Sequence, residues 1–310
     1  MKKIVFIFWF VGLMSNIGFA QELPQLNTYM FNQFIYNPAS GGMYETDFNC
    51  NIASRFQWAG VSGAPLTSFA WADHRFRKNS MSAGLYLAYD RIGARQFTEA
   101  AANYTYILRL DNKWKLSFGL RAGFTSATFN LASSDKVFDQ NDPLATGYVM
   151  NYPKFGGGAQ LYSRNFYVGI GVPDIASINS SPFANDKDKN FFQKNRNYSL
   201  LTGYRWRLTD GLSLLPSSKV FYYPNNPVRV DLTALLEITD YFWAGGSYIS
   251  TGSASVMAGS YISSRLRFSY AYEFPIQSQV SNVAMLNVHE ILLMIQLDDL
   301  FARKNKKVVE

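Results

Sequence analysis

From residue 47 to residue 297 the chain alternates between apolar and polar side chains. In KWKLSFGLRAGF (113–124) the even positions carry Trp114, Leu116, Phe118, Leu120, Ala122 and Phe124, and the odd ones Lys113, Lys115, Ser117, Gly119, Arg121 and Gly123. VRVDLTALLEI (228–238) sets Val228, Val230, Leu232, Ala234, Leu236 and Ile238 against Arg229, Asp231, Thr233 and Glu237. RLRFSYAYEF (265–274) puts Leu266, Phe268, Tyr270, Tyr272 and Phe274 on one face. Successive side chains of a strand point to opposite faces, so a period of two predicts strands with one apolar and one polar face. Fourteen are predicted: 47–56, 64–75, 80–90, 98–110, 113–127, 154–162, 166–172, 198–208, 212–221, 229–238, 241–250, 253–262, 265–274 and 287–297.

A soluble sandwich and a transmembrane barrel share this period, and the connections separate them. Every second one is tight: FRKN (76–79), DN (111–112), SRN (163–165), TDG (209–211), TD (239–240) and SS (263–264). Between them lie the long segments 128–153, 173–197 and 275–286. Short turns on one side and long loops on the other is the asymmetry of an outer-membrane barrel, with the turns periplasmic. An even strand number puts both termini on the short-turn side. Trp114, Trp206 and Trp243 fall close to tight turns, where an interfacial aromatic girdle is expected. The fold expected is all-β: an antiparallel transmembrane β-barrel of the outer membrane.

The polar face carries Lys115, Arg121, Arg205, Arg207, Arg229, Asp231, Glu237, Arg265, Arg267 and Glu273. Unpaired charges are costly in a confined interior, so opposite charges this dense are expected to pair across the lumen rather than line an open channel.

Composition supports the barrel. Aromatic and charged residues each make up 16% of the chain, whereas a soluble domain carries about 25% charged residues. Residues 1–20 read as a secretory signal, with Lys2 and Lys3, the apolar run Ile4 to Leu13, and the cleavage site Gly18-Phe19-Ala20. That run falls short of the roughly 20 residues of a spanning helix. The organisation expected is a signal (1–20), an N-terminal periplasmic segment (21–46), the barrel (47–297) and a basic periplasmic tail (298–310). Cys50 is alone, so no disulfide or thiolate metal cage is expected. The net charge of +7 includes the signal and the tail ARKNKK, and is not read as nucleic-acid binding.

Candidate chemistry is thin. His74 and His289 each adjoin a carboxylate, Asp73 and Glu290, but strand neighbours face opposite ways, so neither makes a catalytic dyad. NDKDKN (185–190) has oxygen donors without the glycine and terminal Glu of a calcium loop. FGGG (155–158) opens a strand with no Lys-Ser/Thr or helix behind it, unlike a phosphate cradle. No enzyme activity, cofactor or metal is expected.

The segment QLNTYMFNQFIYNPASGG (25–42) fits no regular element, yet it resembles the mature N-terminus of the PorP/SprF family of Bacteroidota. The matching residues are Tyr29-Met30-Phe31-Asn32, Tyr36-Asn37-Pro38-Ala39 and Gly41-Gly42. RFQWAGVSGAPLTSFAWAD (55–73), with Arg55, Trp58, Gly60 and Asp73, is similar to a second family block. GLYLAYDRIG (84–93), YPKFGGGAQLYSRNFYVGIGVPDI (152–175) and NVHEILLMIQL (287–297) resemble three more. The resemblance implies an outer-membrane component of type IX secretion and gliding that supports cargo secretion and surface anchoring. The partners implied are a cargo's type B C-terminal domain and, for members in the secretion machinery, periplasmic ring lipoproteins and a peptidoglycan-binding protein. Membrane lipid surrounds the barrel. The alternative is a transport barrel or porin for small solutes. Segment 25–42 is expected to plug the periplasmic mouth together with loops. Phe183, Phe191 and Phe192 within SPFANDKDKNFFQKNR (181–196), with Tyr222 and Tyr223, are the candidate partner contacts.

Overall fold

The computed structural model describes residues 25–44, 46–76, 80–129, 148–177, 197–223, 227–238, 241–276 and 287–298. The expected signal, the NDKDKN loop tip with Phe183, Phe191 and Phe192, and the tail beyond Asp298 lie outside the described residues. The strands are β1 (Phe48–Gln57), β2 (Leu66–Phe76), β3 (Met81–Ile92), β4 (Arg95–Arg109), β5 (Lys115–Phe129), β6 (Tyr148–Tyr162), β7 (Phe166–Ser177) and β8 (Asn197–Tyr204). They continue as β9 (Trp206–Thr209), β10 (Leu212–Tyr222), β11 (Arg229–Ile238), β12 (Phe242–Ile249), β13 (Ser253–Tyr261), β14 (Leu266–Pro275) and β15 (Val288–Leu297).

Apart from β8 and β9, which do not pair with each other, each strand pairs antiparallel with its sequence neighbours, and β15 closes on β1 over their whole length, from Phe48↔Leu297 to Gln57↔Val288. Closure leaves no open edge whose N–H and C=O groups would face lipid unpaired. β8 and β9 both pair with β10 and are parted only at Arg205, whose N–H donates to the Asn165 carbonyl at 2.7 Å. They form one wall strand, and the barrel is a closed antiparallel barrel of 14 strands. The wall is uneven: β4, β5 and β6 run 15 residues each, and β12 only 8. The expected loop 128–153 is correspondingly shorter, because β6 begins at Tyr148, and β7 runs on to Ser177.

The period-2 pattern becomes an outside and an inside. On β11 the side chains of Arg229, Asp231, Thr233, Leu235 and Glu237 are buried inward, and Leu232, Ala234 and Leu236 face out. The outer belt includes Leu85, Leu87, Leu120, Ile170, Leu232 and Val256, all strongly exposed on the isolated chain. This is the lipid-facing band that a membrane barrel requires. At the β4–β5 turn the Asp111 carboxylate accepts the N–H groups of Trp114 and Lys113, each at 2.6 Å, which holds that carboxyl below its ordinary value.

Two expectations need correction. Trp243 is not in the girdle: it occupies an inward position of β12 and is 2% exposed. Gly259 on β13 makes its room, since a Cβ there would overlap the indole. Arg207 and Arg265 keep the inward parity, Arg207 opposite Ser213, but lie at the short-turn rim and not within the lumen, where they stand exposed, Arg265 just ahead of β14. Trp114, edge-on to Phe166 at 5.8 Å, and exposed Trp206 remain at that rim.

The lipid belt makes a direct prediction. Leu120→Arg, an outward position on β5 that is 67% exposed, should lower barrel stability by about 2–4 kcal/mol in a lipid bilayer. Denaturant titration in vesicles measures it; an unchanged midpoint would place this face away from lipid.

Candidate functional site: the interior segment

Inside the barrel lie residues 25–44, folded as a 3-10 turn (Tyr29–Phe31), a single α-turn (Gln33–Tyr36) and a second 3-10 turn (Pro38–Ser40). Such short turns satisfy few of their own backbone groups. Asn37 is extended (φ −137°, ψ 110°), as a residue preceding proline prefers. Its Oδ1 accepts the Ala39 N–H at 2.9 Å, while its Nδ2 donates to Gln160 Oε1 at 3.0 Å on the wall. Gly42 has φ +69°, the left-handed turn that leads toward β1.

The wall supplies the remaining bonds. Glu290 accepts the N–H of Asn27 at 2.7 Å and of Thr28 at 3.0 Å, and Lys219 donates to the Leu26 carbonyl at 3.3 Å. Asn51 donates to the Phe31 carbonyl at 2.7 Å, and Arg121 to the carbonyls of Phe34 and of Ile35, the latter at 3.1 Å. Ser199 reaches the Tyr36 carbonyl at 2.8 Å, and Asn103 and Thr105 both reach that of Pro38 at 2.9 Å. Ser117 reaches the Ala39 carbonyl at 2.6 Å, Asp73 accepts the Gly42 N–H at 2.7 Å, and Arg75 donates to the Tyr44 carbonyl at 3.3 Å. Close approach is possible because three wall positions are glycine. A Cβ on Gly119 would overlap the Pro38–Ala39 peptide, one on Gly158 the Asn37 side chain, and one on Gly171 the Tyr36 carbonyl.

Aromatic and charged groups pack around this frame. Phe34 stacks on Trp71 at 4.9 Å, and the Arg121 guanidinium lies over Phe34 at 5.2 Å and Tyr86 at 4.6 Å. The Lys219 ammonium sits over Tyr29 at 5.0 Å and Tyr36 at 4.9 Å, and Phe31 tilts against Trp243 at 5.3 Å. Arg55 pairs with Glu273 at 2.8 Å and approaches Glu290 at 3.8 Å. Asp231 joins Lys219 and Arg229, both at 2.8 Å. Apart from the segment, Lys154 bridges Glu99 at 2.8 Å and Asp174 at 3.0 Å. Removing one partner of such a buried pair costs about 3–5 kcal/mol.

The direction of the segment differs from the expectation of a chain folded into the short-turn mouth. Gly42 and Tyr44 meet Asp73 and Arg75, near the short-turn end of β2. Leu26 to Thr28 meet Lys219, near the long-loop end of β10, and Glu290, near the long-loop end of β15. The segment therefore extends from the long-loop part of the lumen to the short-turn part.

The structure brings Tyr29, Met30, Phe31, Asn32, Asn37, Pro38, Arg55 and Asp73 together in the lumen. Trp58 and Gly60 stand apart on the β1–β2 loop at the long-loop rim. Trp58 has φ +54°, unusual for a bulky residue, with its N–H donating to the Asn287 carbonyl at 2.9 Å. Tyr222 ends β10, exposed and beside Tyr198 at 6.0 Å, while Tyr223 is half-buried against the aromatic core. Glu290, Lys219, Asn103, Ser117 and Ser199 escaped sequence reasoning. Inward parity on a strand was the available signal for each.

An apolar outer belt around a polar interior defines an outer-membrane β-barrel, crossing the membrane many times. Residues 18–295 match the family described as type IX secretion system membrane protein PorP/SprF. The chain belongs to that family. No curated protein matches it. Among solved structures it is similar to the Pseudomonas putida toluene transporter TodX, with 10% identity, TM-score 0.50, and coverage of 86% of this chain and 94% of that one. The Ralstonia pickettii toluene transporter TbuX gives 9% identity, TM-score 0.49 and 84% and 92% coverage. Acinetobacter baumannii Omp33 gives 9%, 0.44, and 81% and 98%. At 10% identity the likeness to TodX is one of fold alone.

The segment's direction makes a prediction. If cleavage follows Ala20, the chain from Gln21 to Leu26 spans roughly 17 Å at full stretch. The wall from Glu290 to the short-turn rim is roughly 18 Å high, and the segment already occupies that path. Glu22→Cys in a Cys50→Ser background should therefore react with an impermeant maleimide on intact cells, as Val61→Cys should and Asp210→Cys should not. Labelling alongside Asp210→Cys would contradict this direction.

Proposed function

We propose that this protein is a non-enzymatic component of the type IX system that helps cargo proteins reach the cell surface and holds them there. The observation that carries the reading is the family match across residues 18–295. The interior supports it: residues 25–44 occupy the lumen and its charges are largely paired, an arrangement suited to a scaffold more than to a conduit. In this reading the interior segment closes the barrel to solutes, and binding takes place at the rims.

The cargo's type B C-terminal domain meets the long-loop, extracellular side, where Phe183, Phe191, Phe192, Tyr222, Tyr223 and Trp58 are the contacts we propose. The short-turn rim, with exposed Arg207 and Arg265, faces the periplasm and is open to ring lipoproteins or a peptidoglycan-binding protein. A solute channel would instead need a continuous water path past the segment.

Two measurements test this. Deleting residues 183–193 in the native host should release cargo to the medium while the barrel stays abundant; cargo retained on the cell removes the loop from the mechanism. In planar bilayers the intact protein should show little single-channel conductance, and a large stable conductance would favour transport.

A further inference from the structure

We infer that the lumen is a polypeptide-binding site that recognises main chain, and that residues 25–44 are its exchangeable resident ligand. The inference rests on the occupied lumen of the reading above and adds what the lumen can hold. Six wall side chains carry it: Glu290, Lys219, Arg121, Ser199, Asn103 and Ser117. Every one is buried, and every one bonds backbone of the segment: Glu290 accepts two successive N–H groups, and the other five donate to carbonyls of Leu26, Phe34, Ile35, Tyr36, Pro38 and Ala39. These bonds depend on peptide groups and not on side-chain identity. Any main chain buried in the lumen needs such partners, because an unpaired peptide group is costly there. Donors and a carboxylate set opposite peptide groups therefore form a surface that serves a second, suitably bent chain as well as the resident one.

Two seats add sequence preference. Trp71 and Arg121 sandwich the ring of Phe34, at 4.9 Å and 5.2 Å. Gln160 binds the Asn37 amide at 3.0 Å over the floor left by Gly158 and Gly171. The ligand class is thus a peptide with an aromatic residue three positions before an Asn-Pro pair, bound largely through its backbone. A second chain of that pattern would compete with the resident one.

The test uses the full chain, with a protease site inserted after Glu45 and cut in the folded, detergent-solubilised barrel. A fluorescent synthetic peptide of residues 25–44 should then replace the cut fragment saturably, one peptide per barrel. Alanine at the positions of Phe34 or Asn37 in the peptide should weaken uptake at least tenfold, and Glu290→Gln in the barrel should speed exchange at least tenfold. If the barrel keeps its heat-modifiable gel mobility but takes up no peptide, whether the fragment is lost or permanently held, the inference fails. If cutting unfolds the barrel, a chain of residues 45–310 is refolded with and without the peptide. Folding only in its presence supports the site, and equal outcomes overturn it. Conductance of the uncut protein reports separately on whether the lumen is closed, so the two readings fail independently.

Discussion

The structure depends on one constraint: an irregular stretch of main chain buried inside a closed barrel must have its peptide groups bonded by something other than itself. Each buried peptide group left unpaired costs about 1–3 kcal/mol. Segment 25–44 has only three short turns, so the debt falls on the wall. That requirement explains why inward positions carry Asn51, Asn103, Ser117, Ser199 and Arg121 where a solid barrel core would carry aliphatic side chains. It also explains the glycines at 119, 158 and 171, without which the segment's backbone could not come close enough to bond.

The interior charges follow from the same geometry. Glu290 holds two amides of the segment while Arg55 lies 3.8 Å away, and Lys219 lies between the rings of Tyr29 and Tyr36 and the carboxylate of Asp231. Wall and segment are thereby one electrostatic unit, and neither is satisfied without the other. A barrel whose axis is given over to its own chain is left with its rims as the surfaces that face water. One rim feature is exposed Trp58, held at φ +54° beside the positive-φ turns at Gly60 and Gly63.

Much of the fold was legible because strand parity is a local property. The alternation and the tight turns locate every wall strand to within a few residues, apart from the early start of β6 at Tyr148 and the extension of β7, where polar Asn151 and Asp174 blur the pattern. Trp243 lies close to a turn, but parity decides which way a strand residue faces, and its parity turns it into the lumen. The N-terminal segment stood out as a motif, yet its wall contacts did not. Bonds such as Asn27 to Glu290 or Tyr36 to Ser199 join residues far apart in sequence, and no local pattern encodes them. Lys219 in LSLLPSSKVF looks like a lone surface charge until the barrel closes around it.

The central claim is that the wall bonds the backbone of residues 25–44 inside the barrel, away from solvent. Hydrogen exchange of the intact barrel in lipid nanodiscs tests it directly. The amides of Asn27, Thr28, Ala39 and Gly42, each bonded in the structure, should exchange far more slowly than those of a free peptide. Exchange of these amides within seconds, at the rate of a free peptide while the strands remain protected, would contradict the account.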